Sequence, residues 1–585
     1  MQKLLESYGI LIQENIKDTN IKINENTITI HNSKISEIDL NILKQKQINK
    51  ITITNCEIEH IYFANDNNIE LSFIDCIFKS QITARRSNFH KKVSFEQCIF
   101  EKRIDFSRAI FSNKVNFNLT KFGSEAKFIN TKFLAEYTSQ ENIENNFSEV
   151  VFKDKTFFDA VEFKSSVSFE MAHFESEARF VEAKFLAEYT SQENIENNFR
   201  ETFFKGKVSF DSVEFKAKIS FTIAQFESET SFSYTNFNHV VIFFHTNFKD
   251  SILFRNTSFF KNIIIFSEVK FNNIKFISDK KLNETNTNDI VDQIYHFQDT
   301  TFKGIVNFEN MYIKDLNFKN VIFNNIVVFD NTTLNSKPKF INCTFSNQFN
   351  IKQEHIQYNF KDISKDNNDL TKLPNLENIN KNDDFEKPSN LRDLFRKLKS
   401  NRITHHNLID ASELRAQELY ARELELKHKK IKNLKDTIEQ WQLFFYRKLC
   451  DHHTDLVLNV KWLIITIGMF VYMLFMIKLY KHGLCILNAF NFYGLYFSAL
   501  GSFILSALAL FRCIDTMKAF VSINAIIIFW VIYYKPKLIF GIANLIGDNS
   551  YNAFENLLIT LYTLIAGLIT FSLQKTARKN TIIPN

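Results

Sequence analysis

The stretch VSFEQCIFEKRIDFSRAIFSNKVNFNLTKFGSEAKFINTKF, from Val93 to Phe133, decides the fold of this chain. Phenylalanine recurs in it at alternating intervals of five and six residues, and the series continues with interruptions from Phe78 to Phe345. A small or β-branched residue stands two positions before every second Phe, namely Cys98, Ala109, Thr120, Thr131 and their counterparts as far as Cys343. The remaining Phe residues have partners at the same offset, namely Val93, Ile104, Val115 and Ala126. Residues i and i+2 of an extended segment point to one side, so each pair can enter a common core.

A helical interpretation of this repeat fails on geometry and on composition. Phe residues five apart would lie about 140° around a helix, so they could not form one stripe. The segment is also rich in Phe, Ile, Val, Thr and Asn, which suit strands and turns better than a long exposed helix. The pattern therefore predicts short extended pieces that turn every five or six residues and stack as a solenoid.

The pairs Cys98 with Phe100 and Ala109 with Phe111 resemble the pentapeptide-repeat family, in which a Leu or Phe follows a small residue by two positions. The resemblance implies a right-handed, four-sided (quadrilateral) β-helix. This chain departs from the family pattern because every second unit has an extra residue and because Thr, Val or Cys often replaces Ala. The turn length that the family implies gives roughly eleven turns, or a rod about 50 Å long at about 4.8 Å per turn.

Composition limits the classes of function. The net charge of +6 gives no reason to expect a nucleic-acid partner. Only 11 Gly and 5 Pro are present, so turns must use other residues, and the seven Cys show no C-x-x-C spacing and suit buried positions. Adjacent histidines, at 405–406 and at 452–453, point to different helix faces and do not predict a shared metal. No phosphate-binding loop, nucleophile motif or metal-ligand spacing occurs, so we expect no enzymatic activity, no catalytic, cofactor-binding or metal site, and no cofactor.

Changes in periodicity divide the chain into five parts. Within the first part we expect a helix over Leu4 to Ile16, a strand over Ile21 to Ile30 and a helix over Ser33 to Lys46. The parts are an N-terminal cap at 1–50, the Phe-rich solenoid at 51–350, a polar linker at 351–390, juxtamembrane amphipathic helices at 391–460 and a transmembrane domain at 461–585.

The solenoid contains a duplication. Residues Lys132 to Phe147 recur without change at Lys184 to Phe199, and each copy has a polar insert of about one short helix, Leu134 to Asn146 or Leu186 to Asn198. The two inserts could form a recognition surface, or the duplication could have copied a tolerated surface loop. A third polar insert, from Asp279 to Tyr295, is also expected to be a loop or helix.

Four apolar runs have the length of membrane spans, namely Trp462 to Tyr480, Tyr493 to Phe511, Ala519 to Tyr534 and Leu557 to Leu573. Lys and Arg lie before the first span, between the second and third, and after the last, which favours both ends in the cytoplasm. We therefore expect a multi-pass protein of the inner (plasma) membrane with its N-terminal solenoid in the cytoplasm.

The second span has small residues every four positions, at Gly494, Ser498, Ser502 and Ser506. Such a stripe lets helices approach closely, within one chain or between copies in a homo-oligomer, although it could also line a pore. The segment FYGLYFSALGSF, at 492–503, resembles the pore-helix region of some channels that contain pentapeptide repeats, but no TVGYG-like filter follows it.

These observations predict a membrane-anchored solenoid scaffold that binds a protein partner and has no enzymatic activity. The alternative is an ion channel or transport protein with an atypical pore, regulated by the cytosolic solenoid.

Overall fold

A computed structural model of the protein describes residues 2–13, 20–135, 144–187, 196–279, 293–346, 356, 388–429, 431–485, 492–534, 539 and 552–578. The chain divides into two compact units, Met1–Ile356 and Gln357–Asn585. The described part of the first unit is mainly strands, with short helices near its N-terminus, and that of the second unit is helical. Nearly all of the predicted linker, 351–390, lies outside the described residues.

The first unit is a β-solenoid of about 13 turns over residues 27–345, so the predicted fold class is confirmed. One turn has four short strands: Ile82–Thr83, Asn88–Phe89, Val93–Glu96 and Ile99–Phe100. Each strand pairs in parallel with its counterpart in the next turn, which places Phe95 beside Phe73 and Phe100 beside Phe78. The turns outnumber the expected eleven because the first turns fill the core with Ile instead of Phe, as at Ile51 and Ile53.

The four strands of each turn belong to four sheets, which we call faces 1 to 4 in the order in which the chain visits them. Face 1 has 11 strands, from Ile82–Thr83 to Val327–Asp330. Face 2 has 8, from Asp66–Asn67 to Asn236–Phe237. Face 3 has 16, with Ile21–Asn24 at one end and Thr333–Leu334 and Lys339–Ile341 at the other. Face 4 has 15, from Ile10–Ile12 to Thr344–Phe345.

The N-terminal elements differ in part from expectation. Helix α1 is short, Gln2–Ser7, and strand Ile10–Ile12 follows it. The strand predicted over Ile21 to Ile30 is a hairpin of two strands, Ile21–Asn24 and Thr27–His31.

The helix predicted over Ser33 to Lys46 is wrong in its first half, where Lys34–Asp39 is a strand, and helix α2 covers only Leu40–Gln45. Ile35 and Ile38 have helix-like spacing, yet they pair with Ile58 and Ile61 of the next turn. The first turn therefore begins inside the segment that was expected to be a cap.

Stacked phenylalanine rings fill the solenoid. The ring centroids of Phe73 and Phe95 are 5.1 Å apart and their planes differ by 4°. The same stacking continues from turn to turn, for example between Phe128 and Phe158 at 4.8 Å. These side chains are fully buried, and each contributes about 2–3 kcal/mol of burial free energy.

The alternating intervals of five and six residues correspond to two kinds of corner. In the five-residue intervals the residue before the small position has a left-handed backbone, as at Gln97, Arg108, Leu119 and Asn130. The six-residue intervals, such as Phe100 to Phe106, turn without a positive φ. The extra residue therefore lies in the corners that turn without a left-handed residue.

Helices form the second unit. They are α3 (Pro388–Thr404), α4 (Leu408–His428), α5 (Leu434–Cys450), α6 (Leu456–His482), α7 (Phe492–Leu510), α8 (Thr516–Tyr534) and α9 (Ala553–Ala577). Among the described residues, four helical segments are long and apolar enough to cross a membrane: Leu456–Cys485, Phe492–Leu510, Thr516–Tyr533 and Ala553–Ala577. They coincide with the four predicted spans.

Candidate functional site

One corner of the solenoid, between faces 3 and 4, has a column of outward-facing residues with left-handed backbones. Its members stack because the amide of each one donates to the carbonyl of the residue just before the next, as Met171 N does to Arg200 O. We call one stretch of this column the corner ladder. It consists of Leu119, Glu149, Met171, Glu201, Ile223, His245 and Glu268.

From Leu119 to Ile223, apolar side chains alternate with acidic ones along the corner ladder. Leu119, Met171 and Ile223 are 42%, 45% and 36% exposed, and their φ angles are 56°, 55° and 62°. Glu149 and Glu201 occupy the turns between them. The alternation follows from the duplication, because Leu119 and Met171 stand at equivalent positions of the two copies.

The apolar members reduce the stability of the solenoid at these positions. A residue with a Cβ loses roughly 1–2 kcal/mol in the left-handed region, whereas Asn and Asp tolerate it. Other turns of the same column use Asp75, Asn320 and Asn342. A β-branched residue at a positive φ, as at Ile223, is a genuine outlier, and strained residues of this kind concentrate at functional sites. The corner ladder is therefore the candidate interaction surface of the solenoid.

The predicted inserts lie only in part within the described residues. Residues 136–143 and 188–195 fall outside them, but the ends of the two predicted loops are face-3 strands, Glu144–Asn146 and Glu196–Asn198. Asn145 and Asn197 are fully buried at positions that Val or Ile fills in neighbouring turns. The prediction of a short helix or surface loop was wrong for these residues. It was also wrong for Tyr295, which lies in strand Gln293–Gln298 and is buried.

In the helical unit, ion pairs join helices α3, α4 and α5, which we call the collar. Arg447 donates to both carboxylate oxygens of Glu423 at 2.8 and 2.9 Å. Arg422 binds Glu439 in the same two-pronged way at 2.9 and 3.0 Å. Lys399 reaches Glu418 at 2.6 Å. Paired Arg–carboxylate bonds fix orientation as well as distance, so the collar helices have defined facing sides.

The collar meets the first apolar helix at a strained turn. Asp451, His452 and His453 have successive φ angles of 48°, 55° and 71°. The Tyr420 hydroxyl donates to Asp451 Oδ1 at 2.5 Å, which ties the turn to α4. Three consecutive left-handed residues with side chains persist only where surrounding contacts hold them.

A buried polar cluster joins this turn to helices α6 and α9. Asn459 Nδ2 donates to Ser572 Oγ at 3.0 Å, and Ser572 Oγ lies 3.2 Å from Cys450 Sγ. His453 Nδ1 lies 3.2 Å from Thr576 Oγ1. Sequence reasoning missed this cluster, since its members are far apart along the chain and show no spacing signal.

The adjacent histidines 452 and 453 point to different neighbours. The ring of His452 packs near Tyr420, with centroids 5.4 Å apart, whereas His453 faces the polar cluster. Burial, with Arg447 and His453 nearby, lowers the pKa of His452 to about 3. Over the described residues, no group of three or more His, Cys, Asp or Glu side chains is placed to hold a metal ion.

Close contacts join the four apolar helices. The rings of Phe470 and Tyr562 stack with centroids 3.8 Å apart, which joins α6 to α9. Gly468 of α6 lies against Asn524 of α8 so closely that a Cβ would stand 2.0 Å from Asn524 Oδ1. Near the other end of these helices, the buried carboxylate of Glu555 pairs with Lys481 at 2.9 Å.

The small-residue stripe of α7 is used in part for packing. A Cβ on Gly494 would stand 3.0 Å from the Trp530 ring of α8. Ser498 and Ser506 donate to carbonyls of their own helix, those of Gly494 and Ser502. Nothing in the described part of the chain favours the channel alternative, which stays a prediction.

No family model, no curated protein and no solved structure matches this chain. Its architecture is that of a repeat-type solenoid, compatible with the pentapeptide-repeat resemblance, followed by helices suited to a membrane.

Proposed function

We propose that this protein is a membrane-anchored scaffold without enzymatic activity, whose solenoid binds a protein partner along the corner ladder. The observation that carries the proposal is the set of exposed apolar side chains at left-handed positions, Leu119, Met171 and Ile223. Asn or Asp at these positions would make the solenoid more stable. A binding role would explain why the chain has apolar residues there instead.

The proposal extends to family and location. The repeat pattern and the four-faced solenoid support membership of the pentapeptide-repeat family, as a member with membrane helices. The distribution of Lys and Arg around the apolar helices supports an inner-membrane protein with both ends, and therefore the solenoid, in the cytoplasm.

The spacing of the corner ladder suggests that the partner binds through an amphipathic helix. Its apolar members recur every second turn, or about 9.6 Å at about 4.8 Å per turn. An α-helix presents residues i and i+7 about 10.5 Å apart, so an amphipathic helix laid along the corner would match two successive apolar members. Glu201 already pairs with Arg200 at 3.2 Å, but Glu149 also lies between two apolar members, so Lys or Arg on that helix would complement Glu149.

The test is the triple variant Leu119→Asn, Met171→Asn and Ile223→Asn. Asn suits left-handed positions, so the solenoid should be at least as stable, whereas crosslinking to the partner should fall about tenfold or more because hot-spot contacts are lost. The matched control is Ala160→Asn, Glu182→Asn and Ser212→Asn, at the left-handed corner between faces 1 and 2. Equal crosslinking by the first variant and the native chain would refute the proposed binding surface.

A further inference from the structure

Helix α5 has an apolar face that no described residue covers. Leu434, Ile438, Trp441 and Phe445 recur at helical spacing on one side, and they are 77%, 59%, 68% and 43% exposed. Phe444, at the edge of this side, is 40% exposed. Single exposed apolar residues are normal on protein surfaces, but a contiguous aromatic patch marks a contact surface.

The opposite side of α5 is already occupied. Glu439 and Arg447 make two-pronged ion pairs with α4, and Lys429, just after α4, reaches Asp436 at 2.6 Å. Leu443, also on this side, is buried. The helix therefore cannot rotate to bury its aromatic side against α4 without breaking these paired charges.

The end of α5 is held against the apolar helices. Leu449 and Cys450 pack with Ile569 of α9, and Trp462 Nε1 of α6 donates to the carbonyl of Lys448 at 2.8 Å. Only the residues from Asp451 to Asp455 separate α5 from the start of α6. Wherever α6 and α9 cross a bilayer, the C-terminal end of α5 therefore lies near the bilayer surface.

From these contacts we infer that α5 lies in the headgroup boundary of the bilayer, with its aromatic side toward the acyl chains. Trp and Phe on one side of a helix, with cations at its edges, are typical of helices in this position. Lys435 and Lys448 are exposed and can approach lipid phosphates. The inference does not depend on the corner ladder. It requires only that the four apolar helices reside in a bilayer.

Tryptophan fluorescence can locate this helix, since the chain has only three Trp, at 441, 462 and 530. The full chain and its Trp441→Phe variant are reconstituted in phosphatidylcholine vesicles, and their difference spectrum isolates Trp441. The vesicles carry lipids brominated either near the headgroup or near the end of the acyl chain, and acrylamide serves as the aqueous quencher. Trp441 is exposed, so its replacement leaves the contacts of the collar intact.

We expect the Trp441 signal to be shielded from acrylamide and to be quenched about twofold more strongly by the shallow bromines, because interfacial helices lie about 5–10 Å deep. Quenching by acrylamide alone would place the helix in water and overturn the inference. A signal that neither bromine nor acrylamide quenches would show that protein covers this side of α5, and it would also overturn the inference. The remaining signal of Trp462 and Trp530 reports insertion of α6 and α8, so failed insertion is distinguishable from a misplaced α5.

Discussion

At the scale of single residues, the solenoid has strained left-handed residues at its corners and side-chain hydrogen bonds inside its core. Thr can occupy the small inward position of the repeat because its hydroxyl donates a hydrogen bond to a Phe carbonyl of the preceding turn. Thr131 reaches Phe106 O at 2.8 Å, and Thr235 reaches Phe210 O at 2.6 Å. Cys343 makes the weaker equivalent contact with Phe318 O. The departure from the family pattern at these positions therefore has a physical reason.

Replacing Thr235 with Val should lower the free energy of unfolding of the solenoid by about 1 kcal/mol, because a buried hydrogen bond is lost at nearly constant volume. Chemical denaturation followed by circular dichroism measures the change. The reciprocal change Val213→Thr, in the same column, should be close to neutral. A Thr235→Val protein as stable as the native chain would show that the hydroxyl contributes nothing.

Replacing Ile223 with Asn should stabilise the solenoid by about 1 kcal/mol, because Asn tolerates the left-handed backbone that Ile adopts at a φ of 62°. The matched control is Asn130→Ile, at a φ of 55°, which should lose a similar amount. Both shifts are read from the midpoint of denaturation. A loss of stability in Ile223→Asn would mean that Ile packs at this corner more favourably than its exposure suggests.

Buried His452 should make the collar sensitive to acid. Its folded pKa of about 3 lies below the unfolded value of about 6.5, so between these values the unfolded chain binds more protons and stability falls as pH falls. From pH 7 to about pH 5 the loss should approach about 2 kcal/mol. Hydrogen exchange of α4 and α5 at the two pH values measures it.

Arg447, His453, Tyr420 and Asp451 surround His452, and burial also lowers the pKa of His453. The variant His452→Gln should therefore keep only the smaller acid response that His453 causes. An unchanged response in this variant would assign the effect to other groups.

At the scale of elements, helices α6 and α8 approach each other closely at Gly468, where a side chain would meet Asn524. Gly468→Ala places a methyl group where Asn524 stands, so it must displace a buried side chain that donates to Phe520 O. Thermal unfolding in detergent should shift downward by several degrees, corresponding to about 1–3 kcal/mol for overpacking.

Gly567→Ala in α9 is the matched control, because no atom lies within 4 Å of its added Cβ. Its effect should be neutral or slightly stabilising through helix propensity. Equal melting temperatures for the two variants would argue that α6 and α8 do not pack at this point.

At the scale of the whole molecule, each unit has its own core: stacked Phe rings in the first unit and packed apolar helices in the second. The solenoid closes its Phe stacks within Met1–Ile356, and the four long apolar helices found among the described residues follow that unit. A chain ending at Asn390 should therefore be soluble without detergent and should show a β-type circular dichroism spectrum with a cooperative transition. Recovery of this shorter chain only as aggregates would show that the solenoid needs the helical unit.

The sequence by itself determined the solenoid, because a residue period of five and six places Phe and its small partner on one side of each strand. It also determined the four apolar spans, because length and hydropathy are local properties. The N-terminal strand Lys34–Asp39 was predicted as a helix because Ile35 and Ile38 have helix-like spacing. Their extended conformation depends on pairing with the next turn.

Only the tertiary structure decided the candidate sites. The period did not single out Leu119, Met171 and Ile223, because their left-handed backbone and their alignment in one column depend on how successive turns stack. The ion pairs of the collar and the contact between Asn459 and Ser572 join residues distant in the chain, so no local pattern could reveal them. Stacking and burial depend on contacts between two elements, whereas a local sequence pattern carries information about one element only.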